Sequence, residues 1–131
     1  MAEGTFAGVI NCMDGRTQEP VSRYLKRKLG VDYVDAITEP GPIKLLAENN
    51  DPRVESIRTR CDISLNKHHA VALAVVSHYD CAGNPVEQET QMTQLADAIK
   101  LLRSWYPTTA IYGLWVDNNW QVTEVSEDLP A

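Results

Sequence analysis

Two short clusters in this 131-residue chain have residue types and spacings that could do chemistry. The first holds Cys12, Asp14 and Arg16; the second holds His78 and Cys81. Two thiolates and one imidazole suit Zn²⁺, which favours tetrahedral sulfur and nitrogen coordination. The spacing His78-x-x-Cys81 lets a single loop supply two ligands. The fourth position then decides the role of the metal. A fourth protein ligand closes the site, whereas a water makes it a Lewis acid whose bound water has its pKa lowered towards ~7. Asp14 has two alternative jobs. It ligates the metal, or it pairs with Arg16 and leaves the position to water; Arg16 and the metal are rival cations for one carboxylate.

For these residues to meet, the intervening chain must fold so that two distant strand ends lie side by side. The first strand is expected at Thr5–Asn11, with Phe6, Val9 and Ile10 as its apolar residues. A helix follows, with Thr17 as N-cap, Pro20 in the first turn, Val21, Tyr24, Leu25 and Leu29 at helical spacing, and Gly30 beyond its end. The second strand is expected at Val31–Ile37, and the prolines and glycine of Glu39–Pro42 break the regular structure. A short helix over Ile43–Glu48 precedes Asp51-Pro52, an N-cap with proline at the first helical position. Val54, Ile57, Cys61 and Leu65 mark one face of the helix that follows.

The third strand is the clearest, because Ala70–Val76 is continuously apolar, as a strand buried on both faces should be. Asn84-Pro85-Val86-Glu87 then reads as a helix start close to a capping box. Met92, Leu95, Ile99 and Leu102 form its buried stripe, with Pro107 beyond. A fourth strand over Ala110–Val116 and turn residues Asp117-Asn118-Asn119 lead to an antiparallel edge strand over Trp120–Val125, and the last six residues read as a tail. The alternation implies one α/β domain over residues 1–131, with a mostly parallel four- to five-stranded sheet and helices on both faces. In the doubly wound order 2-1-3-4, strands one and three are neighbours and a crevice opens at their carboxyl ends. Cys12 stands just past the first strand, and His78 and Cys81 just past the third, so all three are expected at that crevice.

Composition limits the partners. Eighteen acids against twelve bases give a net charge of −6, with no basic footprint for nucleic acid. No apolar run approaches the ~20 residues that span a bilayer. Met1–Gly4 lacks a basic n-region, so no secretory signal is expected. Three cysteines, an odd count, favour thiols or metal ligands in a reducing compartment such as the cytoplasm.

Cys12-Met13-Asp14-Gly15-Arg16 followed by His78-Tyr79-Asp80-Cys81 resembles the β-class carbonic anhydrases, which carry C-x-D-x-R after the first strand and H-x-x-C after a later one. The resemblance spans about Thr5 to Val125. It implies zinc on Cys12, His78 and Cys81, with Asp14 and Arg16 as the adjacent catalytic dyad. It also implies interconversion of carbon dioxide and bicarbonate by hydroxide on zinc, a lyase activity, in a homodimer or higher homo-oligomer. Two other readings keep the metal: a hydrolase of carbonyl sulfide or carbon disulfide, and a non-catalytic zinc domain with Asp14 as fourth ligand. Three departures stand out. The N-terminal helices usual in the family have only four residues to correspond to. Thr38-Glu39-Pro40-Gly41-Pro42 replaces an Asn-Ala-Gly stretch. Ala82-Gly83 stands where glycine usually follows the second cysteine.

The remaining candidates have blander readings. His68 and His69 belong to the opposite end of the third strand, roughly 30 Å from His78 at ~3.3 Å per residue. Asp80 is expected to cap its own turn. Glu39 reads as a solvated loop acid, with a pocket-facing charge as the alternative. Trp105, Trp115 and Trp120 read as core or interface residues, and Tyr79 either lines the crevice or packs beside it. Cys61, on an apolar helix face, reads as an inert buried thiol.

Overall fold

Strand β3 (Ala72–His78) is buried along its whole length, in a run whose only polar residues are the last two. Its position explains this: it lies at the centre of a five-stranded sheet of order β2-β1-β3-β4-β5. In this computed structural model, which describes residues 3–130, the chain order is β1 (Phe6–Cys12), α1 (Gly15–Leu29), β2 (Tyr33–Glu39), α2 (Pro42–Glu48), α3 (Arg53–Asn66), β3, α4 (Gln88–Trp105), β4 (Ala110–Val116) and β5 (Val122–Asp128). Strands β1 to β4 are parallel and β5 returns antiparallel to β4. The fold class and strand order expected from the sequence are those observed. Met1, Ala2 and Ala131 lie outside the described residues.

The two faces of the sheet have separate cores. On one, Ile10, Leu73, Val75 and Ile111 meet Leu46 of α2, Ile57 and Cys61 of α3, and Leu95 and Leu102 of α4. On the other, Val9, Ala74, Val76 and Leu114 meet Val21 and Leu25 of α1. Alternate residues along β1 and β3 thus face opposite layers, as a period of two requires. No described helix is long and apolar enough to cross a membrane.

Several element ends differ from the sequence expectation. Helix α1 starts at Gly15, and its cap is Asp14, whose Oδ1 accepts from the Arg16 amide at 2.9 Å. Thr17 lies inside the helix and fully buried, where its hydroxyl donates to Asp14 O at 2.8 Å. A carboxylate placed for the N2 amide outcompetes a threonine further along. Pro20 therefore falls in the second turn and leaves the Arg16 carbonyl without its helical donor. Strand β2 begins two residues late because Asp32 and Tyr33 both give their amides to Thr5 O. Helix α3 starts within a residue of expectation, with Asp51 Oδ1 accepting from the Arg53 amide at 2.8 Å.

The start of α4 differs most. Asn84 does not cap it; the helix begins at Gln88. Asn84 is buried and donates to Gln94 Oε1 at 2.7 Å, so its side chain is committed to the helix body. The expected C-terminal tail is partly strand, because β5 continues to Asp128, pairing Ser126 with Gly113 and Asp128 with Ile111. Arg103 on α4 fixes that end by donating to the Asp128 carbonyl at 2.6 Å.

Candidate metal centre

Cys12 is the last residue of β1 and His78 the last of β3, not the residues just beyond them as the apolar runs suggested. Ladder pairing carries both strands past their apolar runs, ending with Cys12 opposite Glu39 and His78 opposite Val116. Cys81 follows in the loop after β3. All three are buried, at 3%, 1% and 5% exposure, so the crevice is where the topology demanded. The Cys12 and Cys81 sulfurs are 3.9 Å apart, and the three ligand atoms all lie within 4.8 Å of one another.

These distances fit a shared metal. Tetrahedral zinc with Zn–S bonds of about 2.3 Å separates two sulfurs by about 3.8 Å. His78 supplies a second test. Its Nδ1 lies 2.7 Å from the Tyr79 carbonyl, an acceptor, so Nδ1 carries the proton and donates. That tautomer turns the Nε2 lone pair inward, and Nε2 is buried without a hydrogen-bond partner. A buried imidazole nitrogen left bare costs free energy. A metal ion between the two sulfurs would satisfy it.

The local electrostatics prepare one thiolate. Cys12 is drawn down to about 4, first by the hydrogen bond from Cys81, against burial, and further by His78 and by the amides of Gly41 and Asp14. Cys81 moves upward, because the shared proton and the neighbouring thiolate both oppose its ionisation. The two thiols thus titrate as a pair, with Cys12 the first to ionise. Burial opposes protonation of His78, but the Cys12 thiolate and the Tyr79 carbonyl outweigh it, and its pKa rises. Cys61 lies outside this group, fully buried, and burial pushes its thiol up to about 12, in keeping with an inert role.

Asp14 stands outside the three-residue group. Arg16 occupies both of its oxygens, donating from Nε to Oδ1 at 3.0 Å and from Nη2 to Oδ2 at 2.7 Å. This pairing, opposed by some burial, holds the Asp14 carboxyl at about 2. Gln18 ties the segment down by donating to the carbonyl of Cys12 at 2.7 Å.

Two loops close over the sulfurs. Gly41 has φ +59°, and a Cβ on Gly83 would come within 2.7 Å of the Pro40 backbone. Glycine is required where these chains touch, which gives Gly41 and Gly83 a steric role within the altered loop.

Glu39 neither faces the crevice nor stands in solvent; it is mostly buried and ion-paired with Arg60 of α3. Asp80 does not cap its turn. Its backbone is left-handed, at φ +58°, and its carboxylate reaches out to Arg16 Nη1 at 3.3 Å. His68 is remote from the crevice, stacked on Phe6 and bonded to Asp35 Oδ2 at 2.8 Å. Trp115 is buried, Trp105 packs partly buried against the larger core, and Trp120 packs on the α1-side core. Tyr79 is half exposed, and only its carbonyl serves the site.

Gln91 is the residue that sequence reasoning missed. Its side chain is buried on α4 and pairs twice with the His78 backbone, accepting from the amide at 3.2 Å and donating to the carbonyl at 2.8 Å. The amide imitates a neighbouring strand at the point where β3 ends. Extending the Leu95–Ala98–Leu102 stripe back by one turn reaches position 91, and a glutamine on that face was the available signal. Gln91→Leu leaves both His78 backbone groups unpaired, an expected loss of about 1–3 kcal/mol by urea denaturation. Zinc affinity in a competitive chelator titration should fall by roughly 10–100-fold, as for other groups that orient a ligand.

Residues 2–126 match the sequence model of a family described as "Putative carbonic anhydrase". The chain belongs to that family. No curated protein sequence matches it significantly. Among solved structures it is similar to a tetrameric β-carbonic anhydrase from Sordaria macrospora, with a TM-score of 0.57 and 11% identity, over 95% of this chain and 82% of that one. It is also similar to the β-carbonic anhydrase CafA of Aspergillus fumigatus, with a TM-score of 0.51 and 13% identity, over 94% and 76%. The fold is that of the β-class carbonic anhydrases.

Proposed function

We propose that this chain is a single-domain, zinc-dependent carbonic anhydrase that interconverts carbon dioxide and bicarbonate, with Cys12, His78 and Cys81 as metal ligands and Asp14 and Arg16 as its catalytic dyad. The observation that carries the reading is the closed triangle of two sulfurs and a bare, buried Nε2, beside a carboxylate that Arg16 keeps for itself. Zinc bound there would supply Lewis acidity and a nucleophile near neutral pH.

The protein's own groups have definite tasks. His78 presents Nε2 because Tyr79 O holds the proton on Nδ1. Cys12 offers a thiolate that its surroundings already favour. Asp14, ionised throughout the physiological range, would accept a hydrogen bond from the O–H of the nucleophile that zinc supplies and so orient it towards carbon dioxide. Arg16 keeps Asp14 from becoming a fourth ligand. Bicarbonate leaves, and one proton passes to buffer for each carbon dioxide hydrated.

The S. macrospora relatives are tetrameric, which supports a homodimer or higher homo-oligomer here. Met13, Tyr79 and Val86, all exposed and close in sequence to the ligands or to Gln91, suit burial in such an interface. Three free cysteines suit a reducing, cytoplasmic setting.

Stopped-flow hydration of carbon dioxide by zinc-verified protein tests the reading, at about pH 7 and again near pH 9 (the pair brackets the ~7 typical of zinc-activated water). Activity at both values is expected of an open site. Activity only at the higher pH would mean that Asp14 closes the metal until hydroxide displaces it. Silence at both, with one zinc per chain, would sink the carbon dioxide reaction. Hydrogen sulfide release from carbonyl sulfide or carbon disulfide would then decide between a sulfur-substrate hydrolase and a non-catalytic zinc domain.

A further inference from the structure

Arg16 has more partners than its pairing with Asp14 requires. Its Nη1 donates to Asp80 Oδ2 at 3.3 Å and its Nη2 to the Asp80 carbonyl at 3.2 Å. Its Cζ lies 4.4 Å from the ring centroid of Trp120. One guanidinium therefore joins the start of α1, the loop after β3 and the β4–β5 turn. We propose that Asp80 and Trp120 are positioning residues that clamp Arg16, and through it hold the Asp14 carboxylate away from the metal position. The consequence for the metal rests on the function proposed above; the clamp itself does not.

Backbone conformation supports a purpose beyond packing. Asp80 has φ +58° and Trp120 has φ +59°, in the left-handed region that favours glycine. Only four non-glycine residues among those described have positive φ; the other two are Asn49, which ends α2, and His69. Trp120 sits in a hairpin loop closed by its own amide to Asp117 O and by the Asp117 amide to Gln121 O, both at 3.0 Å. Glycine is the usual residue at the left-handed position of such loops. Glycine would relieve the backbone at either place; at 120 it would remove the ring contact, and at 80 the carboxylate contact, leaving only the backbone carbonyl. Two separate turns thus carry an unfavourable conformation, and both place a side chain on the same guanidinium.

The clamp has work to do because Arg16 is about half exposed. Asp14 is only 17% exposed, but the guanidinium is 46% exposed, so solvent competes for its hydrogen bonds. Without Asp80 and Trp120, the guanidinium is free to turn away, and Asp14 is then free to take the remaining metal position. Asp80 also lies between His78 and Cys81, so the loop that supplies two ligands supplies part of the clamp.

The test reads the clamp first without metal. In the metal-free protein, hydrogen exchange at the Arg16 Nε–H is followed by ¹⁵N NMR in the wild type, Asp80→Gly, Trp120→Ala and Trp120→Phe. An exposed ion pair and a cation–π contact are each worth about threefold, so exchange should quicken about threefold in each of the first two variants and little in Trp120→Phe. Asp80→Gly suits its backbone and should not lower Tm, a combination that a merely structural ion pair would not produce. It carries the test should Trp120→Ala fail to fold. Cobalt(II)-loaded proteins are then titrated with thiocyanate, which alters the visible d–d bands only where a metal position is open. The wild type should respond, and Asp80→Gly should lose most of that response. In an Asp14→Ala background the same substitution should change nothing. Wild-type exchange rates in Asp80→Gly, or a wild-type cobalt protein indifferent to thiocyanate, would overturn the proposal. Absence of carbon dioxide hydration with both readouts as expected leaves the clamp standing and removes only the reaction.

Discussion

His78→Ala should cost this protein on the order of a thousandfold in zinc affinity. Zinc sites in small peptides are worth about 10–16 kcal/mol, and one of three protein ligands carries roughly a third of that. Equilibrium dialysis against a zinc buffer reads the difference directly. Cys81→Ser should behave alike, because a serine hydroxyl does not ionise to match the thiolate it replaces. The two substitutions act from one loop, whereas Cys12 acts from the end of β1. Loss of zinc in Cys12→Ser as well would therefore establish that both strand ends are needed. Retention of one zinc per chain in His78→Ala and Cys81→Ser would refute the assignment of the ligands. The substitutions should differ in stability without metal. His78→Ala removes a buried imidazole and opens a cavity, whereas Cys81→Ser is nearly isosteric.

The second large effect concerns Asp14. Asp14→Asn retains the shape of the cap but removes the charge that pairs with Arg16 and that would orient the nucleophile by accepting its hydrogen bond. A reduction in kcat of roughly 10²-fold is expected, the cost of a misaligned reacting group, with zinc content unchanged. The same residue sets an acid limit on folding. Its folded-state pKa, about 2, lies below the ordinary value of 3.8. The stabilisation from its pairing is therefore complete above the ordinary value and is lost as pH falls from there through about 2. Wild type should lose stability across that window, and Asp14→Asn should lose less. Unchanged turnover in Asp14→Asn with full zinc would remove Asp14 from the mechanism.

Much of this was legible in the sequence, for physical reasons. Strand β3 announced itself because burial on both faces forbids polar residues, and that burial follows from its central place. The grouping of Cys12, His78 and Cys81 was legible because cysteine and histidine at strand ends have few other uses in a crevice. Element ends were harder to read, since they are settled by hydrogen bonds rather than by hydrophobicity. Asp14 took the cap from Thr17 through one amide contact, and Asn84 lost its cap because Gln94 engaged its side chain. β5 ran on to Asp128 although its residues are largely polar, because an edge strand needs only a neighbour's backbone. Gln91, Asp80 and Trp120 went unread for a different reason. Each serves the site through a contact far along the chain, and nothing in their local sequence names the partner.

The candidate metal group joins the end of β1 to the end of β3, with α1, β2, α2 and α3 threaded between them. Such a site cannot exist until two crossovers have been completed and the β1–β3 ladder has zipped. Loop-closure entropy is therefore spent before the first metal bond forms. An ion bound there acts as a late fastener. It would slow the unfolding limb of the kinetics and leave the refolding limb nearly untouched, so the protection it confers is a long native lifetime rather than a quicker search.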